Sequence, residues 1–336
     1  MKPKILTLII VLFVIVVGSA VGILFNFPYD PLKPPKADDT GSTPEGIQEV
    51  VNANNQFAFD LYSELIKSKH GNIFYSPYSI SAAFAMVYEG ARGKTSEEIQ
   101  SVFHFPEYSE LRPNFAAIYN EINSNHKDYE LRTGNALWLQ KDFHLLKNYK
   151  DIIKRYYGGK AAEVDFSRAP DASIKTINTF IEEQTNHKIK NLLSRGDIDS
   201  STLLVITNAV YFNGEWMYKF DPGRTEDMYF RIDPKNLVKV PMMSMKPKEK
   251  LNYFEDKFLQ ILKLPYKGNR LSMLIILPKD NLTMLESKLS AEMISHYREM
   301  MKETYLDEIL IPKFEFDTKY YLSHIFFKLE IFYQFI

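Results

Sequence analysis

The sequence contains no cysteine. Disulfides, thiolate catalysis and cysteine metal sites are therefore excluded. The compartment stays open, because an exported protein can lack bridges. An excess of charge of one sign is also missing: 41 Lys and Arg face 42 Asp and Glu, a formal net charge of −1. No long-range field draws the chain to nucleic acid. The histidines, His70, His104, His126, His144, His187, His296 and His324, are scattered, with no HExxH pair and no carboxylate at zinc-peptidase spacing. No GxSxG nucleophile elbow occurs. Gly93-Lys94-Thr95 has the ending of a nucleotide-binding loop. Position 88, where that loop needs glycine, is Tyr, and a helical pattern precedes it instead of a strand. No stretch repeats at a fixed period, which argues against a solenoid. These absences leave no cofactor, no metal and no enzymatic activity to expect; a hydrolase sharing only the patterning is the outlying alternative.

What is present is enough apolar material for a large core: 336 residues, 45% hydrophobic and 14% aromatic. Lys2 and Lys4 precede an uncharged run over residues 5–25, 21 residues long and sufficient to cross a bilayer. Gly18, Ser19 and Ala20 offer small residues for cleavage, so residues 1–25 read as a signal peptide or a membrane anchor. Either reading exports the rest, giving a secreted, extracellular protein or one held at the cell surface, and membrane contact would come through this segment. Residues 26–46, with Pro28, Pro31, Pro34, Pro35 and Pro44, read as an extended linker. The folded domain, 47–336, opens with Ile47, Val50, Asn54, Phe57, Leu61 and Leu65 at helical spacing.

The stretch Thr202 to Trp216, TLLVITNAVYFNGEW, is rich in β-branched and aromatic residues and reads as a strand buried on both faces. Asn208 is the polar residue at its middle. A buried amide must find partners or cost about 1–3 kcal/mol. Asn72 to Tyr75 is short and strand-like. Ser76-Pro77 then starts a helix, Ser as N-cap and Pro at the first turn, and SISAAFAMVYEGA is apolar almost all round. Leu111 to Ser124, Leu146 to Tyr157 (ended by Gly158-Gly159) and a segment carrying Ile174, Ile177 and Ile181 read as helices. Leu282 to Met301 and Leu322 to Leu329 also read as helical. Tyr129 to Phe143 and a series from Thr225 to Leu277 read as strands. Asn281-Leu282-Thr283 is a glycosylation sequon on a surface loop.

Several blocks, taken in order, resemble one family. NIFYSPYSISAAFAMVYEGARGKTSEEIQ resembles the second and third helices of the serpins, inhibitors of serine proteases. NALWLQKDF resembles the second strand of their main sheet and TNAVYFNGEW the third. LQILKLPYKG with LSMLIILP resembles their second sheet, and IPKFEF, within Asp307 to Phe316, the closing strand of the main sheet. The resemblance covers residues 47–335. It implies an α+β serpin fold of about three β-sheets with eight or nine helices. Its main sheet is expected to be broad and largely antiparallel, with Leu203 to Phe212 in its interior, backed by the buried helix starting at Ser76.

The resemblance also implies a function: serine-type endopeptidase inhibition by a suicide-substrate mechanism. An exposed loop is cleaved and inserts as a new strand, dragging the attached protease with it. Serine proteases are the implied partners, with cysteine proteases a second class. Ser76, Ser79 and Asn208 match the shutter beneath the sheet centre. Trp216, Thr225 and Lys313 match the breach, where insertion begins. Arg112 and Lys127 are offset by Glu110, Glu121, Asp128 and Glu130, so no heparin-type polyanion is expected at the fourth helix. Glu330 replaces a usual glycine, and Ile336 is the last residue, before the fifth strand, the hinge and the bait residue of the reactive loop. The expectation is a frame lacking the C-terminal strands, non-inhibitory by itself, with the third strand as an open edge. An exported, non-inhibitory binding protein on the same scaffold, using a surface such as the Lys246 to Lys250 loop, is the alternative.

Overall fold

The computed structural model describes residues 7–15, 34–68, 71–233 and 235–331, the first of these by backbone only. His70, residues 16–25 of the N-terminal run and residues 26–33 of the linker lie outside the described residues. In chain order the elements are β1 (Thr7–Ile15), α1 (Pro44–Ser68), α2 (Pro77–Gly90), α3 (Lys94–Phe103), α4 (Tyr108–Ile122), β2 (Tyr129–Gln140), α5 (Lys147–Tyr157), β3 (Lys160–Val164), α6 (Pro170–Gln184) and β4 (Thr202–Gly214). There follow β5 (Thr225–Arg231), β6 (Leu237–Met245), β7 (Leu251–Glu255), β8 (Leu259–Pro265), β9 (Ser272–Pro278), α7 (Leu282–Glu286), α8 (Ala291–Met300), β10 (Lys302–Thr304), β11 (Ile309–Pro312) and α9 (Ser323–Lys328). The described residues thus hold three sheets and nine α-helices, an α+β protein. They form two compact units, residues 7–15, 34–68, 71–125, 130–213 and 318–331 in the first, and 126–129, 214–233 and 235–317 in the second.

In the first unit the sheet order is β1-β4-β2-β3, which puts β4 in the interior. Strand alternation sends its side chains to opposite faces. Leu204 and Ile206 join the core built by α1, α2 and α3, whereas Val205 and Ala209 join a second core under α6. The neighbouring strand repeats this division: Leu137 and Leu139 face the first core, Ala136 and Trp138 the second. A strand covered on both faces can be apolar throughout, which explains the unbroken run. The buried helix behind it starts where expected. Ser76 caps α2, its Oγ accepting from the Ser79 N–H at 3.2 Å, with Pro77 in the first turn.

Two expectations for this sheet are corrected. The ladders β1–β4 (Thr7↔Thr202 to Ile15↔Tyr211) and β2–β3 (Ala136↔Lys160 to Gln140↔Val164) are parallel, so the sheet is not largely antiparallel. The outer edge of β4 is not open, because β1 pairs along it. Unpaired backbone groups on a long apolar strand recruit any extended apolar segment within reach, and the N-terminal run supplies nine such residues. Residues 72–75 form no strand; the Phe74 N–H donates to the Tyr320 hydroxyl at 3.1 Å and its carbonyl accepts from Thr318 Oγ1 at 2.7 Å.

The second unit holds two antiparallel sheets, β10-β7-β8-β9 and β11-β6-β5. Its core gathers Met245, Leu251, Leu262, Leu264 and Ile309. Here the closing-strand expectation is corrected: Ile309–Pro312 pairs with β6, not with the main sheet, and residues 313–322 are not strand. The alternating pattern identifies a strand but not the edge that receives it. The helix expected over Leu282 to Met301 is two, because Ser290 starts a fresh one, accepting from the Met293 N–H at 3.1 Å.

The last residues of the linker are docked on the first unit. Asn120 of α4 treats Ala37 as a backbone partner, accepting from its N–H at 2.8 Å and donating to its carbonyl at 2.9 Å. Asn114 accepts from the Thr43 N–H at 2.9 Å. Asp38 receives Arg155 Nε at 2.7 Å and Nη2 at 2.6 Å. Hydrogen bonds from Thr40, then Arg155, lower the Asp38 carboxyl from 3.8 to about 2. A carboxylate with a depressed folded value contributes stability above its unfolded value and loses it as pH falls through the folded one. Asn120→Ala is expected to lower unfolding stability by about 1–3 kcal/mol in urea titrations, because it strands a buried N–H and carbonyl. Between about pH 4 and about pH 2 the parent chain should lose more of its urea midpoint than Asp38→Asn, which has no charge to lose.

Candidate functional site

A line of buried polar groups runs across the first unit between α2 and the sheet. Ser79 on α2, Asn208 on β4 and Asn135 on β2 are 0%, 1% and 0% exposed. Period-2 alternation puts Asn208 on the same face as Leu204 and Ile206, and Asn135 on the same face as Leu137, so both amides point toward α2. Ser79 Oγ donates to Asn208 Oδ1, Asn208 Nδ2 donates to Asn135 Oδ1, and Asn135 Nδ2 donates to the Tyr157 carbonyl at 2.8 Å. Ser76 joins at the start through the Ser79 N–H. The chain therefore ties one helix to two strands and to the C-terminus of α5.

Tyr157 carries the line onward. Its hydroxyl donates to Glu89 Oε1 at 2.9 Å, and Arg112 grips the same carboxylate through Nε at 3.0 Å and Nη2 at 2.7 Å. The Glu89 side chain is fully buried, and Arg112 is 30% exposed. Burial, then the Glu89 charge, pushes the Tyr157 hydroxyl well above its ordinary range, so it stays a donor. The Glu89 hydrogen bonds hold the Arg112 guanidinium above its usual value. A buried carboxylate needs such pairing, since one left unpartnered costs several kcal/mol. The arrangement has no nucleophile–base pair; what it can do is fix, and exchange, the contact between helix and sheet. On the opposite face Trp138 Nε1 donates to Thr207 Oγ1 at 3.0 Å, and the indole meets the Phe180 ring edge-on at 5.3 Å.

Of the residues singled out from sequence, Ser76, Ser79 and Asn208 are brought into one hydrogen-bonded group. Trp216, Thr225 and Lys313 all lie in the second unit but are tied to different neighbours. Trp216 stacks on Tyr266 at 4.4 Å, Thr225 pairs in register with Met243, and the exposed Lys313 donates its N–H to the Pro241 carbonyl at 2.8 Å. Thr225 and Lys313 thus flank β6 from its two sides. Sequence reading missed Asn135, Tyr157 and Glu89. Asn135 carried the same signal as Asn208, a lone amide within an apolar strand. Glu89 carried another, an acid in a helix otherwise apolar. Arg112, set in the sequence against Glu110, Glu121, Asp128 and Glu130, has Glu89 as its partner.

Asn208→Ala leaves Ser79 Oγ and Asn135 Oδ1 buried without their partner. The expected cost is about 1–3 kcal/mol per stranded group, read as a lower denaturant midpoint. Ser79→Ala in the Asn208→Ala background should then cost less than it does alone, the coupling expected of groups in one network.

The serpin profile, described as Serpin (serine protease inhibitor), matches residues 52–335. A serpin-like protein of Methanosarcina mazei is 43% identical over 288 residues, covering 84% of this chain and 67% of that protein. Human Serpin B3 is 38% identical over 297 residues, covering 82% and 76%. Leukocyte elastase inhibitor of Xenopus laevis is 38% identical, covering 82% and 75%. This chain spans 63% to 67% of the length of the archaeal relatives. Emu ovalbumin superposes with a TM-score of 0.80 at 29% identity, covering 84% of this chain and 78% of that one. Reactive-loop-cleaved human thyroxine-binding globulin gives 0.79 at 29%, covering 85% of each. The match over residues 52–335, together with relatives well above 30% identity, places this chain in the serpin family.

Proposed function

We propose that this chain is the sheet-bearing frame of a serine-type endopeptidase inhibitor working by strand insertion, and that residues 1–336 do not inhibit by themselves. The observation that carries the reading is the polar link from α2 to β4 to β2. A sheet that parts over a helix must exchange contacts there, and a hydrogen bond exchanges for about 0.5–1.5 kcal/mol net, whereas separating apolar surfaces costs far more. Asn208–Asn135 lets β4 and β2 travel as a pair, so Ser79–Asn208 is the bond to be exchanged. In this reading Ser76, Ser79 and Asn208, with Asn135, govern movement of the sheet, and Trp216, Thr225 and Lys313 form the entry for an added strand. For the chain in which β1 pairs with β4, the reading of no inhibition is supported by that pairing, which holds the outer edge of β4 where a strand would add; a chain freed of that pairing loses this support. Serine proteases are the proposed partners of the lineage, and cysteine proteases the second class.

Export is a separate proposal, supported by the uncharged run over residues 5–25. Those residues cannot both span a bilayer and pair with β4, so an anchored or cleaved chain would carry a bare β4 edge. Among the described residues no helix is long and apolar enough to cross a membrane. A second reading, an exported non-inhibitory binding protein, is favoured by the loop 246–250, in which Lys246, Lys248, Glu249 and Lys250 are exposed.

Incubation with trypsin-, chymotrypsin- and subtilisin-like proteases should yield no detergent-resistant covalent complex; a band at the summed mass overturns the claim of no inhibition. The strand-insertion claim has its own test. An extended peptide with the sequence of residues 7–15, added to residues 34–336, should raise the melting temperature with peptide concentration, as any ligand of the folded state does. No rise at any concentration sinks it.

A further inference from the structure

The sequence holds one Asn-x-Ser/Thr triplet, Asn281-Leu282-Thr283. It lies between β9 and α7, and Asn281, Leu282, Thr283 and Met284 are all exposed. The two ends of the Asn281 amide are used differently. Oδ1 accepts from the Thr283 N–H at 2.9 Å, closing the turn, while Nδ2 donates to no group among the described residues. That sets it apart from the asparagines that build the fold. Asn114, Asn120, Asn123, Asn135, Asn178 and Asn208 each donate the amide nitrogen, mostly to a backbone carbonyl. A structural asparagine spends its nitrogen; this one keeps it in solvent, with the +2 hydroxyl residue in the same exposed turn. Beside it, Leu282 and Met284 are 49% and 57% exposed, apolar surface with no cover in this unit.

We propose that Asn281 is the acceptor of an N-linked glycan. The donor class is an oligosaccharide carried on a polyprenyl phosphate or diphosphate. Asn281 Nδ2 bonds to the anomeric carbon of the first sugar as that carbon's bond to the phosphate oxygen breaks. The lipid phosphate leaves with the bonding electrons, and the amide gives up one proton to a base of the transferase; nothing is oxidised or reduced. The turn survives the reaction, because it is closed by Oδ1 and not by Nδ2. The attached glycan lies next to Leu282 and Met284 and covers them. The proposal rests on the export reading above, since lipid-linked donors are used on the far side of the membrane.

The test translates the full chain with membrane vesicles that carry N-glycosylation machinery and its lipid-linked donor, and follows gel mobility and protection from added protease together. The expected result is one discrete upward shift confined to the protected fraction and reversed by peptide N-glycanase. Thr283→Ala should abolish it while keeping the backbone turn, and Thr283→Ser should retain it. A protected but unshifted parent chain overturns the assignment of Asn281 and leaves export standing. A chain wholly accessible to protease overturns export, and the Asn281 assignment falls with it.

Discussion

Asn208 presents the fold with a demand that little else in the chain can meet. A primary amide sits at the centre of a strand covered on both faces, where water cannot reach it, so protein groups must satisfy both its oxygen and its nitrogen. The oxygen takes Ser79 from the helix behind, and the nitrogen takes Asn135 from the next strand. Meeting that demand fixes the height of α2 on the sheet and the register of β4 against β2 in one stroke. Apolar contacts alone would tolerate slippage, since one leucine packs nearly as well as another. The amide chain does not, because a slip of one residue points each Asn to the other face.

The same physics continues through Tyr157. Its backbone carbonyl ends the amide chain and its hydroxyl begins the Glu89–Arg112 group, so one residue at the last turn of α5 serves both. Gly158 follows at φ 58, a left-handed cap that ends the helix there, and the Tyr119 ring occupies the space a side chain would need. Buried ionic groups of this kind add little net stability, but removing one partner is costly because the other is left buried and uncompensated. Helices α2, α4 and α5 are positioned by them relative to the sheet, and the linker is then strapped over α4 and α5 by Asn120, Asn114 and Arg155.

The edge of β4 is where this frame depends on a partner strand. A thirteen-residue strand, apolar on both faces, offers backbone donors and acceptors along its whole outer side. Pairing that edge satisfies them, and the partner present is the N-terminal run. An export segment and a sheet strand share one composition, long, apolar and uncharged, so the same residues suit either environment. On the export reading proposed above, bilayer and sheet edge would compete for them.

Sequence alone determined those features whose signal is local or periodic: the two-sided strand from its unbroken apolar run, α2 from Ser76-Pro77 and its all-round apolar face, α5 from its Gly158 stop, and the order of blocks that marks the family. It also raised the need for partners at Asn208, since a buried amide is costly wherever it lies. Tertiary structure decided who the partners are. Asn135, Tyr157, Glu89 and Arg112 are 73, 51, 119 and 96 positions away from Asn208, and no local pattern links them. It also decided that Ile309–Pro312 joins β6 and that Thr7–Ile15 covers β4. Alternation of side chains is a property of one strand, whereas pairing is a property of two, and the free energy that selects the second strand comes from edges and cores that exist only once the chain has closed on itself.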